Sequence, residues 1–239
     1  MIVKAARPAR DDAPVVTYAL LALCCAVFLL GPASGLNGSY GTGPDLPAAQ
    51  TAYFAHWGVV PRELWHASPA ALCTPLTALF VHGNWLHLLG NILFLHVFGA
   101  MTEQRLGHLP FALFYLLTGY LALLGYAAVH AGSGTSLVGA SGAISGVLGA
   151  FLCLFPRARV TSLFPFLFFL PLRLPAWLVL LFWFALQWQA AGSTDDRPGV
   201  AYLAHVMGFA LGFGCAWVAR GRRVRVNSAA GSTEGEAEP

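Results

Sequence analysis

Charge is what this sequence has least of. Of its 239 residues only 10% are Asp, Glu, Lys or Arg, and 57% are apolar; an ordinary soluble domain carries about 25% and roughly 45–50%. The shortage excludes a soluble globular domain and leaves a membrane protein. Cysteine is scarce too. Cys24, Cys25, Cys73, Cys153 and Cys215 have neither metal-ligand spacing nor a disulfide framework, and they read as small core residues. The net charge of +3 comes largely from "ARGRRVRV" beside the last apolar run, which speaks of topology and anionic lipid and not of nucleic acid.

Hydrocarbon is what the chain has in excess. A span needs about 20 apolar residues, and six runs lie at about 15 to 31, 84 to 101, 109 to 130, 135 to 155, 176 to 191 and 200 to 219. None of them contains Asp or Glu. The first is a retained span, because no A-x-A-like cleavage site follows it. Basic residues close to spans stay in the cytoplasm. With the amino terminus inside, Lys4, Arg7, Arg10, Arg105, Arg157, Arg159, Arg173, Arg220, Arg222, Arg223 and Arg225 are cytoplasmic, and only Arg62 and Arg197 are outside. Both termini are then cytoplasmic, in a membrane of the bacterial inner-membrane type.

The expected fold class is all-α: a polytopic bundle of six transmembrane helices over residues 15–220, with a long outer loop after the first. That loop contains "AHWGVVPRELW" and "CTPLTALFVH", which read as short interfacial helices with Trp57 and Trp65 at the membrane–water boundary. "FFLPLRLP" places the fifth span after Pro175 and leaves residues 164 to 174 as a cytoplasmic interfacial segment. The leader 1–14 and the basic, then acidic tail 221–239 have little to bury and are expected to be disordered.

Polar groups inside spans are costly and are functional candidates by default. The second span carries His87 and Asn91, the fourth Ser141 and Ser145, the sixth His205. His87 and Asn91, four apart, share a helix face. Counted from the outer ends of their spans, His87, Asn91, Ser141 and His205 all lie roughly 5–10 Å deep. Agreement in depth across three spans points to one site. Serine becomes a nucleophile when a base takes its proton, and His205 is the histidine at that depth on another span. His87, Asn91 and a backbone N–H near Ser141 can stabilise an oxyanion. With no carboxylate in any span, a hydrolase built here uses a Ser-His dyad. Gly142, Gly146 and Gly149 on one span and Gly208 and Gly212 on the other allow those two helices to approach closely.

Other readings use the same residues. Ser141 in a Gly/Ala stripe can be a packing residue, His205 can make an interhelical hydrogen bond, and Asn91 can be a packing amide. Facing histidines among His82, His87, His96 and His205 could ligate haem in an electron carrier, which leaves "GASGA" unexplained. Ser145 reads as packing. The favoured reading needs no cofactor and no metal.

These motifs resemble the rhomboid intramembrane serine proteases over roughly residues 50–220. "HGNWLHLLGN" is similar to the family's HxxxxHxxxN pattern at His82, His87 and Asn91. "GASGA" is similar to its G-x-S-G at Gly139, Ser141 and Gly142, "AHVMGFALG" to its histidine-bearing last span, and "GAMTEQRLG" to its E-x-R-x-G junction. The resemblance implies an endopeptidase with Ser141 as nucleophile, His205 as general base and His87, Asn91 and the Ser141 amide as oxyanion site. Glu103 and Arg105 would tie the cytoplasmic end of the second span to its neighbours, and the fifth span would be the mobile one that admits substrate. Partners would be the lipid bilayer and membrane-protein substrates, usually single-span, cut beside a small residue. A non-catalytic binder of membrane proteins on the same scaffold is the alternative. The sequence departs from the family's pattern at Ser145, where some relatives carry an aromatic under the histidine, and at Ala71, Leu72 and Cys73, where a Trp-Arg pair is often seen.

Overall fold

The computed structural model describes residues 2–4, 12–65, 69–164, 170–192 and 201–234. The protein is a mainly helical membrane protein. Among the described residues, three helical stretches, Trp85–Leu106, His108–Val129 and Tyr202–Arg220, are long and apolar enough to cross a membrane, and three shorter apolar helices accompany them. In chain order the helices are α1 (Val15–Leu30), α2 (Leu46–Trp57), α3 (Pro61–Leu64), α4 (Thr74–Ala78), α5 (Trp85–Phe94), α6 (Ala100–Leu106), α7 (His108–Val129), α8 (Ser141–Leu154), α9 (Ala176–Ala191) and α10 (Tyr202–Glu234). A wide π-type turn over Leu95–Gly99 joins α5 to α6. Large apolar side chains such as Leu86, Leu109, Leu113, Leu117, Phe182 and Trp188 are exposed on the outside, a surface suited to lipid and not to water.

The expectation of an all-helical chain needs correction. Three strands, β1 (Ile2–Lys4), β2 (Arg159–Phe164) and β3 (Leu170–Pro175), form an antiparallel sheet in that order. Val160 pairs with Leu174 on one side and with Val3 on the other. Pro171 and Pro175 lie in the edge strand β3, where a missing N–H costs least, and the central strand β2 has no proline. The segment expected at 164 to 174 as interfacial thus supplies the end of β2 and most of β3, its residues 165–169 lying outside the described residues. The leader contributes a strand because β2 would otherwise leave a row of backbone groups unpaired. Helix α10 runs on into the tail as far as Glu234, and residues 235–239 lie outside the described residues. Arg7, Arg10 and Arg197 lie outside the described residues.

At the centre stands α8, buried at every position from Gly142 to Cys153. Such a helix touches no lipid, which accounts for its Gly, Ala and Ser content. It meets α10 backbone to backbone. A Cβ on Gly208 would collide with the Gly142 carbonyl oxygen, one on Gly212 with that of Gly146, and one on Gly149 with that of Phe209. The small-residue seam read from the sequence is thus the contact that sets the spacing of these two helices.

One end of the bundle is organised by Glu103. The helix of the second apolar run continues to Leu106, so a carboxylate lies within a membrane-spanning helix after all, at its end. Glu103 is fully buried. Its Oε1 accepts from the Val16 amide at 2.9 Å, and its Oε2 accepts from the Thr17 amide and hydroxyl, both at 2.7 Å. His108 Nδ1 lies 2.6 Å from Oε1. Pro14 offers no side chain to cap α1, and Glu103 supplies that function from another helix, where a negative charge also suits the helix dipole. Arg105, by contrast, is exposed. Glu103→Ala is expected to destabilise the protein by about 2 kcal/mol, read as a lower thermal midpoint in detergent; an unchanged midpoint would mean that water replaces the carboxylate.

Candidate active site

A cavity of about 730 Å³ is lined by His87, Asn91, Ser141 and His205. The sequence places Ser141 several residues inside a span, but the structure makes it the first residue of α8. Residues before it run beside the loop that follows α1. Val59 and Leu137 exchange backbone bonds of 2.9 and 2.8 Å, and the Gly139 amide donates to the Ala78 carbonyl at 2.8 Å. Gly139 has φ +125°, a conformation that L side chains avoid, and a Cβ there would lie 2.6 Å from His87 Nε2. Only glycine meets both conditions. The turn it makes leaves the first amides of α8 without intrahelical acceptors, at the positive end of that helix.

Ser141 Oγ lies 2.8 Å from His205 Nε2, a hydrogen bond between residues 64 apart in sequence. On the other side of the ring, His205 Nδ1 is 2.7 Å from Gln187 Oε1, on α9. The Trp183 ring lies at 6.1 Å from the imidazole centroid and Tyr202 meets it edge-on at 6.3 Å. These three hold the imidazole in a chain that has serine at position 145. Ser145 Oγ donates to the Ser141 carbonyl at 2.6 Å, in keeping with a packing role. Gln187 is the polar residue that sequence reasoning missed. Its signal is an amide near the end of "AWLVLLFWFALQWQAA", where it passes for the polar margin of a span.

His87 and Asn91 sit one turn apart on α5. Asn84 caps that helix by accepting from the His87 amide at 2.8 Å. The Gly83 amide donates to His87 Nδ1 at 3.4 Å, which assigns the ring proton to Nε2, the atom facing Gly139. Asn91 Nδ2 donates to the His87 carbonyl at 2.9 Å, and its amide has a second N–H to offer. His82 is buried with its ring edge-to-face against His87, centroids 5.2 Å apart. All four residues singled out from the sequence thus line one cavity.

Residues 69–222 match the Rhomboid domain family. The chain belongs to the rhomboid family. It is 39% identical over 95 residues to Rhomboid-like protein 11, chloroplastic, of Arabidopsis thaliana, a stretch covering 40% of this chain and 33% of that protein. It is 36% identical over 143 residues to Rhomboid protein 1, mitochondrial, of Saccharomyces cerevisiae, covering 58% and 39%. RHOMBOID-like protein 6, mitochondrial, of Arabidopsis thaliana is 28% identical over 144 residues, covering 58% and 40%. The rhomboid described here therefore spans two fifths or less of each of these relatives.

Gly139→Ala is expected to cost this rhomboid about 1–3 kcal/mol through backbone strain alone, with the displacement of His87 in addition. A thermal midpoint equal to that of the parent protein would show that the turn has room to spare.

Proposed function

We propose that this rhomboid is an intramembrane serine endopeptidase that cleaves the membrane-spanning segments of other membrane proteins. The observation that carries the reading is the 2.8 Å contact between Ser141 Oγ and His205 Nε2 on the wall of a cavity large enough for a peptide segment. In the proposed reaction the Ser141 hydroxyl gives its proton to Nε2 as Oγ attacks the scissile carbonyl. The oxyanion forms among the Ser141 amide, His87 Nε2–H and Asn91 Nδ2–H. His205 then protonates the leaving amine, and water admitted through the cavity hydrolyses the acyl-enzyme with the roles of Nε2 reversed.

The proposed arrangement in the membrane has six spans: the three long helices together with α1, α8 and α9. The cavity opens to the outer face, and both termini are cytoplasmic. The excess of Lys and Arg on one side supports this orientation. Substrates are single-span proteins cut where the helix unwinds readily and a small residue lies at the scissile bond. The proposed residence is a cell membrane of the bacterial inner-membrane type. The relatives' names give the chloroplast and the mitochondrion instead, so cell fractionation decides that point.

Cleavage of a single-span reporter in liposomes is expected for the wild type and absent for Ser141→Ala and His205→Ala. A folded wild type that neither cleaves the reporter nor reacts with a serine-directed fluorophosphonate would leave a binding scaffold in place of an enzyme. Asn91→Ala is expected to lower kcat by roughly 10–1000-fold with little change in KM. A change confined to KM would remove Asn91 from the oxyanion site.

A further inference from the structure

The Ser-His pair leaves one requirement unmet. An imidazole acts as a base at Nε2 only when its proton sits on Nδ1, and the 2.8 Å contact to Ser141 does not select that tautomer. In the other tautomer Nε2–H donates to the serine oxygen and cannot accept its proton. A third group acting on Nδ1 makes that choice where one is present.

We infer that Gln187 is the positioning residue of this site, holding His205 in the Nδ1–H tautomer through its side-chain carbonyl. The inference rests on the protease reading for its purpose, though not for its geometry. Three helices meet at one ring: α8 brings Ser141 to Nε2, α10 carries the imidazole, and α9 brings Gln187 Oε1 to 2.7 Å from Nδ1. No carboxylate among the described residues forms an ion pair or hydrogen bond with His205, so the neutral amide stands where hydrolase triads place Asp or Glu. Trp183, one turn before Gln187 on α9, and Tyr202 on α10 bound the ring with their own rings. They limit its tilt but offer nothing to Nδ1.

An amide has two ends, and the difference matters. With Oε1 toward the ring, Gln187 accepts from Nδ1–H and Nε2 keeps its lone pair for the serine proton. With the amide turned over, its NH2 would donate to Nδ1 and drive the proton to Nε2, switching the base off. A carboxylate at this position can only accept. Glutamate should therefore substitute for glutamine here, whereas methionine, similar in length and without hydrogen-bonding capacity of this kind, should not.

The test compares wild type, Gln187→Met and Gln187→Glu, each shown to be folded by its thermal midpoint in detergent. Three readouts apply: reporter kcat and KM, the rate of fluorophosphonate labelling at Ser141, and the 15N spectrum of histidine-labelled protein, with His205 assigned by its loss in His205→Ala. Gln187→Met is expected to lower kcat and the labelling rate about 10-fold or more at unchanged KM. Its His205 signals should move from the Nδ1–H pattern toward a tautomer mixture, and Gln187→Glu should restore both. A Gln187→Met protein with wild-type kcat, labelling rate and 15N shifts would overturn the inference. So would a loss of rate with the tautomer unmoved, because that is the mark of a packing defect. If the wild type neither cleaves nor labels while the tautomer still depends on Gln187, the protease reading fails and the positioning role stands.

Discussion

The site depends on how closely two backbones approach. Ser141 and His205 belong to α8 and α10, and their 2.8 Å contact depends on Gly208 and Gly212 lying against the backbone of Gly142 and Gly146, and Gly149 against that of Phe209, with no side chain between. In lipid, apolar side chains gain little by leaving hydrocarbon, so helix association relies on close van der Waals contact and on interhelical hydrogen bonds. This seam uses both. The small residues bring the helices together, and the serine–histidine bond lies at one end of the line they make.

Around that seam the remaining elements each fix one degree of freedom. The loop after α1 holds the extended residues before Ser141 through Val59 and Ala78, which sets where α8 starts and so where its free amides point. Asn84 and Gly83 hold His87 on α5. Glu103 joins α1 to the far end of the same long helix. Each is a specific polar contact, the most buried of them at Glu103, where an unmade partner is expensive, and together they help confine a weakly driven bundle to one arrangement.

Much of this was legible in the sequence because polar atoms stand out against hydrocarbon. His87, Asn91, Ser141 and His205 needed only a count of what interrupts the apolar runs and an estimate of depth. The features that escaped are those for which hydropathy is silent. Residues 135 to 140 are as apolar as a span, so the left-handed turn at Gly139 and the late start of α8 were hidden. Val160 and Leu174 read equally well as interfacial helix or strand until a pairing partner is known. Glu103 fell just beyond a boundary drawn by composition. Gln187 sits where a span gives way to polar residues, and its significance comes from what it faces across the fold, which no local pattern encodes.

The lengths of the outer helices bear on the bilayer itself. Both α1 and α9 have 16 residues, which is about 24 Å of helix against a hydrocarbon thickness of about 30 Å. Their exposed faces carry Tyr18, Leu23 and Leu29 on one and Trp177, Phe182 and Trp188 on the other, and in the six-span arrangement proposed above lipid tails meet a shorter apolar wall there than they are built for. Such a mismatch is relieved by local thinning, at a fraction of a kcal/mol per Å. Any longer apolar helix beside such a wall stands in a shallower medium than its own length requires. Its ends are forced toward water or its axis into a tilt.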